Sequence, residues 1–123
     1  MTFIFGGAYQ GMEAQACALG AKRMLRLTAD ARTIDFSADA IAGLDQFALG
    51  CVRRGEAPED YFAAHRAEWA DCILIGTDLS GGVVPMEAEM RAWRDANGRM
   101  NNYLASQAAR VIRMFCGIGQ VIR

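Results

Sequence analysis

The sequence predicts one α/β domain: a three-layer arrangement of a mostly parallel sheet with helices on its faces. Three observations carry this. Apolar runs of strand length at residues 2–5, 72–76 and 111–116 each end on or beside a glycine. Segments of helix-forming composition or helical periodicity lie between them. The run Cys72-Ile73-Leu74-Ile75-Gly76 is apolar without alternation, as in a parallel strand covered on both faces. At 123 residues, the chain has enough length for one core, and residues 1–123 are read as one domain.

Residues 2–5 form a buried strand that stops at Gly6-Gly7. Residues 12–27, rich in Ala, Gln, Glu, Leu, Lys and Arg, predict a helix that Gly20 weakens. Residues 32–39 alternate weakly and suggest an extended edge segment, and residues 40–44 read either as a short strand or as a helical turn. Leu44, Phe47, Leu49 and Val52 fall near helical spacing, with Gly55 as the stop. Pro58, followed by Glu59 and Asp60, opens a further helix directed towards Trp69. After the strand at 72–76 comes the loop 77–84. Pro85 then opens the longest helix, with Met86, Met90, Trp93, Met100 and Leu104 on its apolar face. A strand at 111–116 turns through Gly117-Ile118-Gly119 into a short terminal strand at 120–123, a C-terminal hairpin. The order β-α-β-α-α-β-α-β-β implies a mostly parallel sheet flanked by helices.

Composition excludes several classes. With 53% hydrophobic and 22% charged residues the chain is too apolar for disorder. Thirteen basic residues against fourteen acidic ones give a formal charge of −1, which argues against a nucleic-acid partner, because neutralising phosphates needs a basic excess. No apolar run approaches the roughly 20 residues of a membrane span. Residues 1–5 lack the basic start of a signal peptide and meet two glycines at once. The expectation is a cytoplasmic protein. Cys17, Cys51, Cys72 and Cys116 form no CxxC pair and there is one histidine, so no metal site is expected and the thiols are read as free and buried.

Four groups of residues are candidates for chemistry. Gly6-Gly7-Ala8-Tyr9-Gln10-Gly11-Met12-Glu13 has the two fixed glycines of the phosphate-binding loop G-x-x-x-x-G-K-[ST], between a strand and a helix. In such a loop backbone N–H groups cradle phosphate, the lysine reaches the outer phosphates and the hydroxyl binds magnesium. Here Met12 and Glu13 take the last two positions, so the alternative is a turn that merely needs glycine. Asp78, beyond the strand at 72–76, is read either as a ligand to a magnesium-bound water or a hydroxyl, or as a turn residue. Arg91, Arg94 and Arg99 with Asn101 and Asn102 either hold phosphate or form a solvated face. His65 is either a general base or a surface residue.

Taken together, these residues resemble the bifunctional adenosylcobinamide kinase/adenosylcobinamide-phosphate guanylyltransferase family. Its long members open with a strand and a G-G-A-x-x-G-K-S loop, matched by Gly6-Gly7-Ala8-Tyr9-Gln10-Gly11 and then departed from at Met12-Glu13. They continue with G-x-G-I-V-P, an R-x-F-R-D-x-x-G-R-x-N-Q-x-L-A helix and a strand closed by G-I-G. Gly82-Val83-Val84-Pro85, Trp93-Arg94-Asp95-Ala96-Asn97-Gly98-Arg99-Met100-Asn101-Asn102, Leu104-Ala105 and Gly117-Ile118-Gly119 follow that pattern, so the block covers residues 71–123. The resemblance implies a P-loop NTPase-like topology and a role in cobalamin biosynthesis. It also implies GTP or ATP with magnesium, a nucleotide and a corrinoid as ligands, and a homo-oligomer, a trimer in the long members. Asp45 then corresponds to an acidic residue at the end of a family strand.

The chain also departs from the family. It is shorter, and the missing length falls between its first helix and Asp71. The segment bearing the guanylylated histidine is absent, and His65 stands elsewhere. The expectation is a nucleotide-dependent family member with a degenerate loop, in which Arg91, Arg94 or Lys22 substitutes for the loop lysine. The alternative is a catalytically inactive relative that serves as a binding or assembly protein.

Overall fold

Neighbouring residues of a strand face opposite sides of a sheet, and in β1 (Thr2–Gly6) both sides are covered: Phe3 and Ile4 are each buried. The computed structural model describes residues 1–81 and 87–123. After β1 come α1 (Met12–Ala18), β2 (Met24–Arg26), β3 (Ala40–Ala42), α2 (Leu44–Arg53), α3 (Pro58–Ala64), β4 (Ile73–Thr77), α4 (Ala88–Gln107), β5 (Arg110–Phe115) and β6 (Ile118–Val121). Among the described residues these strands form one six-stranded sheet, ordered β2-β3-β4-β1-β5-β6. β1 pairs in parallel with β4 and β5, β3 with β2 and β4, and β6 alone runs antiparallel.

Handedness of the crossovers sets the layers. From β1 the chain crosses to the far strand β2, whereas from β3 to β4 and from β4 to β5 it moves in the opposite direction along the sheet. Crossovers of one hand then place α1 on one face and α2, α3 and α4 on the other. The packing agrees. Phe3, Ile41 and Leu74 meet Phe47, Phe62, Trp69, Met100 and Leu104 in the larger cluster, while Ile4, Ile75 and Ile112 meet Met12 and Ala16 of α1 in the smaller one. The result is the three-layer α/β fold with a P-loop-like topology, and the C-terminal hairpin is present.

Several boundaries differ from the sequence reading, each for a physical reason. The helix expected over residues 12–27 stops at Ala18. Gly20 adopts φ 103°, and residues 24–26 pair with β3 as strand β2 instead. Asp39 draws the chain into that pairing, since its carboxylate accepts the backbone N–H groups of Lys22 and Arg23, each at 2.9 Å. Those two backbone bonds hold its carboxyl below the ordinary carboxylate range. Tertiary pairing thus overrides the helix propensity of Lys22, Arg23, Met24 and Leu25. Residues 32–39 are not an edge strand; the strand lies at Ala40–Ala42, inside the sheet between β2 and β4.

Further along, α3 ends at Ala64 rather than near Trp69, whose buried indole N–H donates to the Phe62 carbonyl at 2.8 Å and fixes the following turns. Pro85 as a helix start, Met86 on the apolar face and part of the loop 77–84 lie outside the described residues; α4 is described from Ala88. The final hairpin turns on Cys116 and Gly117, at φ 51° and 78°, the positive pair that a two-residue hairpin turn demands. This turn places the last strand at 118–121 instead of 120–123. The thiols divide as well. Cys51 and Cys72 are buried, and burial pushes both up, whereas Cys17 and Cys116 are exposed.

Candidate functional site

The carboxyl ends of parallel strands are where an open α/β sheet offers a cleft, at the point where crossovers leave to opposite faces. Here that point lies between β1, followed by α1, and β4, followed by α4. A cavity of about 620 Å³ opens there. It is bounded by residues 8–14 after β1, Arg26 and Leu27 at the end of β2, Ala42, Gly43 and Asp45 after β3, and Ile75 and Thr77 of β4.

Glycine makes both strand-to-helix turns at this cleft. Gly11 precedes α1 at φ 89°, and Gly43 precedes α2 at φ 76°. At Gly43 a Cβ would lie 2.4 Å from the Leu27 carbonyl oxygen, a backbone atom that cannot yield, so only glycine fits. Gly6 ends β1, where a Cβ would meet the Met114 carbonyl oxygen at 2.8 Å. Tyr9 carries a positive φ of 63° and a fully exposed ring. Gln10 ties the loop to the hairpin, its carbonyl accepting the Gly117 N–H at 3.1 Å and its side-chain oxygen accepting the Cys116 N–H.

The two positions that depart from the phosphate-loop pattern have distinct fates. Met12 is buried in the smaller core cluster with Ile4, Ile75, Ile112 and Met114, so a hydrophobic side chain stands where such a loop carries its cation. Glu13 pairs with the guanidinium of Arg26 from β2. Asp45, from the first turn of α2, lines the same cavity, and its backbone carbonyl accepts the Trp93 indole N–H at 2.7 Å, which fastens α2 to α4. The structure therefore brings Asp45 to residues 8–13 of the glycine loop.

Asp78, Arg94, Asn101 and Asn102 line a separate cavity of about 260 Å³ on the α4 side. The Asp78 carboxylate accepts the Ser80 N–H at 2.8 Å and the Ser80 hydroxyl, closing a local turn, while the Asp78 N–H continues the ladder to the Gly6 carbonyl at 2.8 Å. Arg94 donates to the Ser80 carbonyl. Arg99 lines neither cavity; its Nε donates to Glu59 of α3 at 3.1 Å. His65 stacks on Tyr61 with ring centroids 4.2 Å apart and bonds to Glu68, away from both cavities. Glu13 and Asp45 are the carboxylates available to a magnesium ion in the larger cavity. No group of three or more ligating side chains forms among the described residues. With Glu13 engaged by Arg26, Asp45 fits as the single carboxylate of an ion carried in by phosphate oxygens, the usual way magnesium is held.

The sequence reading grouped Asn101 with the arginines and passed over Asn97; these two are the buried polar residues of α4. Four residues apart, they share one helix face, and both donate Nδ2 to the Thr77 carbonyl at the end of β4, at 2.8 and 3.2 Å. Their position between Ala96, Met100 and Leu104 is the signal that could have marked them.

The sheet order, the glycine turn after a central strand and the cleft at a switch point define a P-loop-like α/β protein. A family model described as cobinamide kinase / cobinamide phosphate guanyltransferase matches residues 46–122, more than half of the chain, and the chain belongs to that family. Family members use ATP or GTP and act in cobalamin biosynthesis. No curated protein matches the chain. The matched span contains Asp78, Arg94 and Arg99 and leaves out the glycine loop and Asp45. Among the described residues no helix is long and apolar enough to cross a membrane.

The shared carbonyl gives a test of the α4 clamp. Either Asn97→Ala or Asn101→Ala leaves the Thr77 oxygen one donor and is expected to cost about 1 kcal/mol in urea unfolding. The double substitution orphans this half-buried oxygen and should cost more than the sum of the two. Strict additivity would show that the two side chains do not act on one acceptor.

Proposed function

We propose that this chain is a nucleotide-binding member of its family, taking the phosphates of GTP or ATP with magnesium in the glycine-loop cleft and a corrinoid beside it. The observation that supports this reading is the cleft itself. Residues 8–14, Asp45 and Thr77 meet at the carboxyl ends of β1, β3 and β4, at the switch point of the sheet. Phosphoryl transfer is largely positioning and charge neutralisation, so a buried Met12 in place of a lysine removes several kcal/mol of transition-state stabilisation unless another cation supplies it. The second reading, a relative that binds or assembles without turnover, is favoured by this burial of Met12 and by the carboxylate of Glu13 at the position of the loop hydroxyl.

Assembly is part of the proposal. Phe115, Ile118, Val121 and Ile122 are large apolar residues, each more than half exposed, gathered on the β5–β6 hairpin at the sheet edge. Exposure of this kind is uncommon on a monomer and supports the homo-oligomer, a trimer by the resemblance. Light scattering at micromolar concentration should give a multiple of the 13.4 kDa chain mass, and a monomeric mass would contradict it.

Met12→Lys combined with Glu13→Ser restores the missing cation and hydroxyl. Affinity for magnesium-GTP, read by the ligand-induced rise in Tm, is expected to increase by roughly tenfold or more. Equal binding by the double variant and the wild type would mean that this loop is no phosphate cradle. Turnover of GTP or ATP with cobinamide by the wild type would sink the non-catalytic reading.

A further inference from the structure

A phosphate held at the glycine loop needs a positive partner, and Met12 does not provide one. The cations that the sequence suggested as substitutes are placed elsewhere. Arg94 lines the α4-side cavity and donates to the Ser80 carbonyl, and neither Arg91 nor Lys22 lines the glycine-loop cleft. Among the described residues lining that cleft Arg26 is the one positive side chain. Its backbone is fixed there, because β2 pairs with β3 in the register that sets Arg26 opposite Ala42, next to the Gly43 turn. Its guanidinium rests on Glu13, the residue that stands where a phosphate loop has its hydroxyl.

Arg26 is largely in water and Glu13 about half, with side-chain exposures of 69% and 46%. An ion pair of that kind is screened and contributes little, so exchange of its carboxylate for another anion is cheap. A phosphate matches the planar guanidinium fork with two oxygens and more charge, and is the stronger partner. We propose that Arg26 is the phosphate-binding cation of this chain, supplied from the neighbouring strand in place of the loop lysine. Glu13 holds it beside the loop until an anionic ligand takes it over. The inference rests on the reading of the cleft as a phosphate site, and it assigns that site a residue outside the loop motif.

The test uses the full chain and inorganic tripolyphosphate with magnesium, titrated by calorimetry, with the melting curve of each variant confirming the fold. Glu13→Gln should tighten binding by removing both the competing carboxylate and its repulsion. In that background, where Arg26 has lost its carboxylate partner, a further Arg26→Ala should weaken binding by roughly tenfold or more. Arg26→Lys, which keeps the charge and loses the fork, should fall between. Binding by Glu13→Gln that Arg26→Ala leaves unchanged would overturn the proposal and leave the cleft reading standing. If neither the wild type nor any variant, Met12→Lys with Glu13→Ser included, binds tripolyphosphate at millimolar concentration, the cleft reading and the role of Arg26 both fail.

Discussion

β1 is hydrogen-bonded on both sides, residues 2–6 running in register with 73–77 of β4 and 110–114 of β5, and the rest of the molecule depends on that placement. A shift of one residue would exchange Phe3 and Ile4 between the two cores. It would also carry Gly6 away from the Met114 carbonyl, against which no side chain fits. The central position of β1 brings its loop beside the ends of β3 and β4, and the opposite directions of the crossovers leave a gap between them. The cleft is thus a consequence of strand order, filled out by glycines at the two turns where a Cβ or a negative φ would not do.

The general plan was legible in the amino-acid sequence because it rests on strong local signals. The unbroken apolar run before Gly76, the glycines after β1 and the Pro-Glu-Asp start of α3 each act over a few residues, and α4 declared its type through length and period. What stayed hidden depends on contacts between distant residues. β2 consists of residues that favour helix, and its strand state follows from pairing with β3 and from Asp39 capping Lys22 and Arg23. The exposure of Cys17 and Cys116 follows from the short α1 and from the hairpin turn, neither of which the composition of their neighbourhoods reveals.

The same division holds at the site. The glycine loop and Asp78 were marked as candidates by motif and by position after a strand, and Asp45 through the resemblance. Arg26 was not found, since it lies in a different element and reaches the loop only because β2 is recruited into the sheet. Asn97 was masked by the arginines around it and Asn101 was grouped with them, although the work of both is to hold the Thr77 carbonyl and so the end of β4. Arg99 looked like part of a basic group and instead braces α4 on Glu59 of α3. In each case charge drew attention in the sequence, while burial and pairing decided the role.

The cleft that results has an uneven chemistry. Met12 gives it no donor, and Glu13 and Asp45 bring two carboxylates against Arg26, the one guanidinium among the described residues that line it. Under the proposed function, backbone N–H groups of the loop and the Arg26 guanidinium are what hold the anion. The most direct test of this account is a ¹⁵N amide NMR titration of the full chain with magnesium-GTP. The account predicts shifts concentrated at residues 8–14, at Arg26 and at residues 43–45 and 75–78. Shifts confined to the β5–β6 hairpin, or no change in the glycine loop at saturating nucleotide, would contradict it.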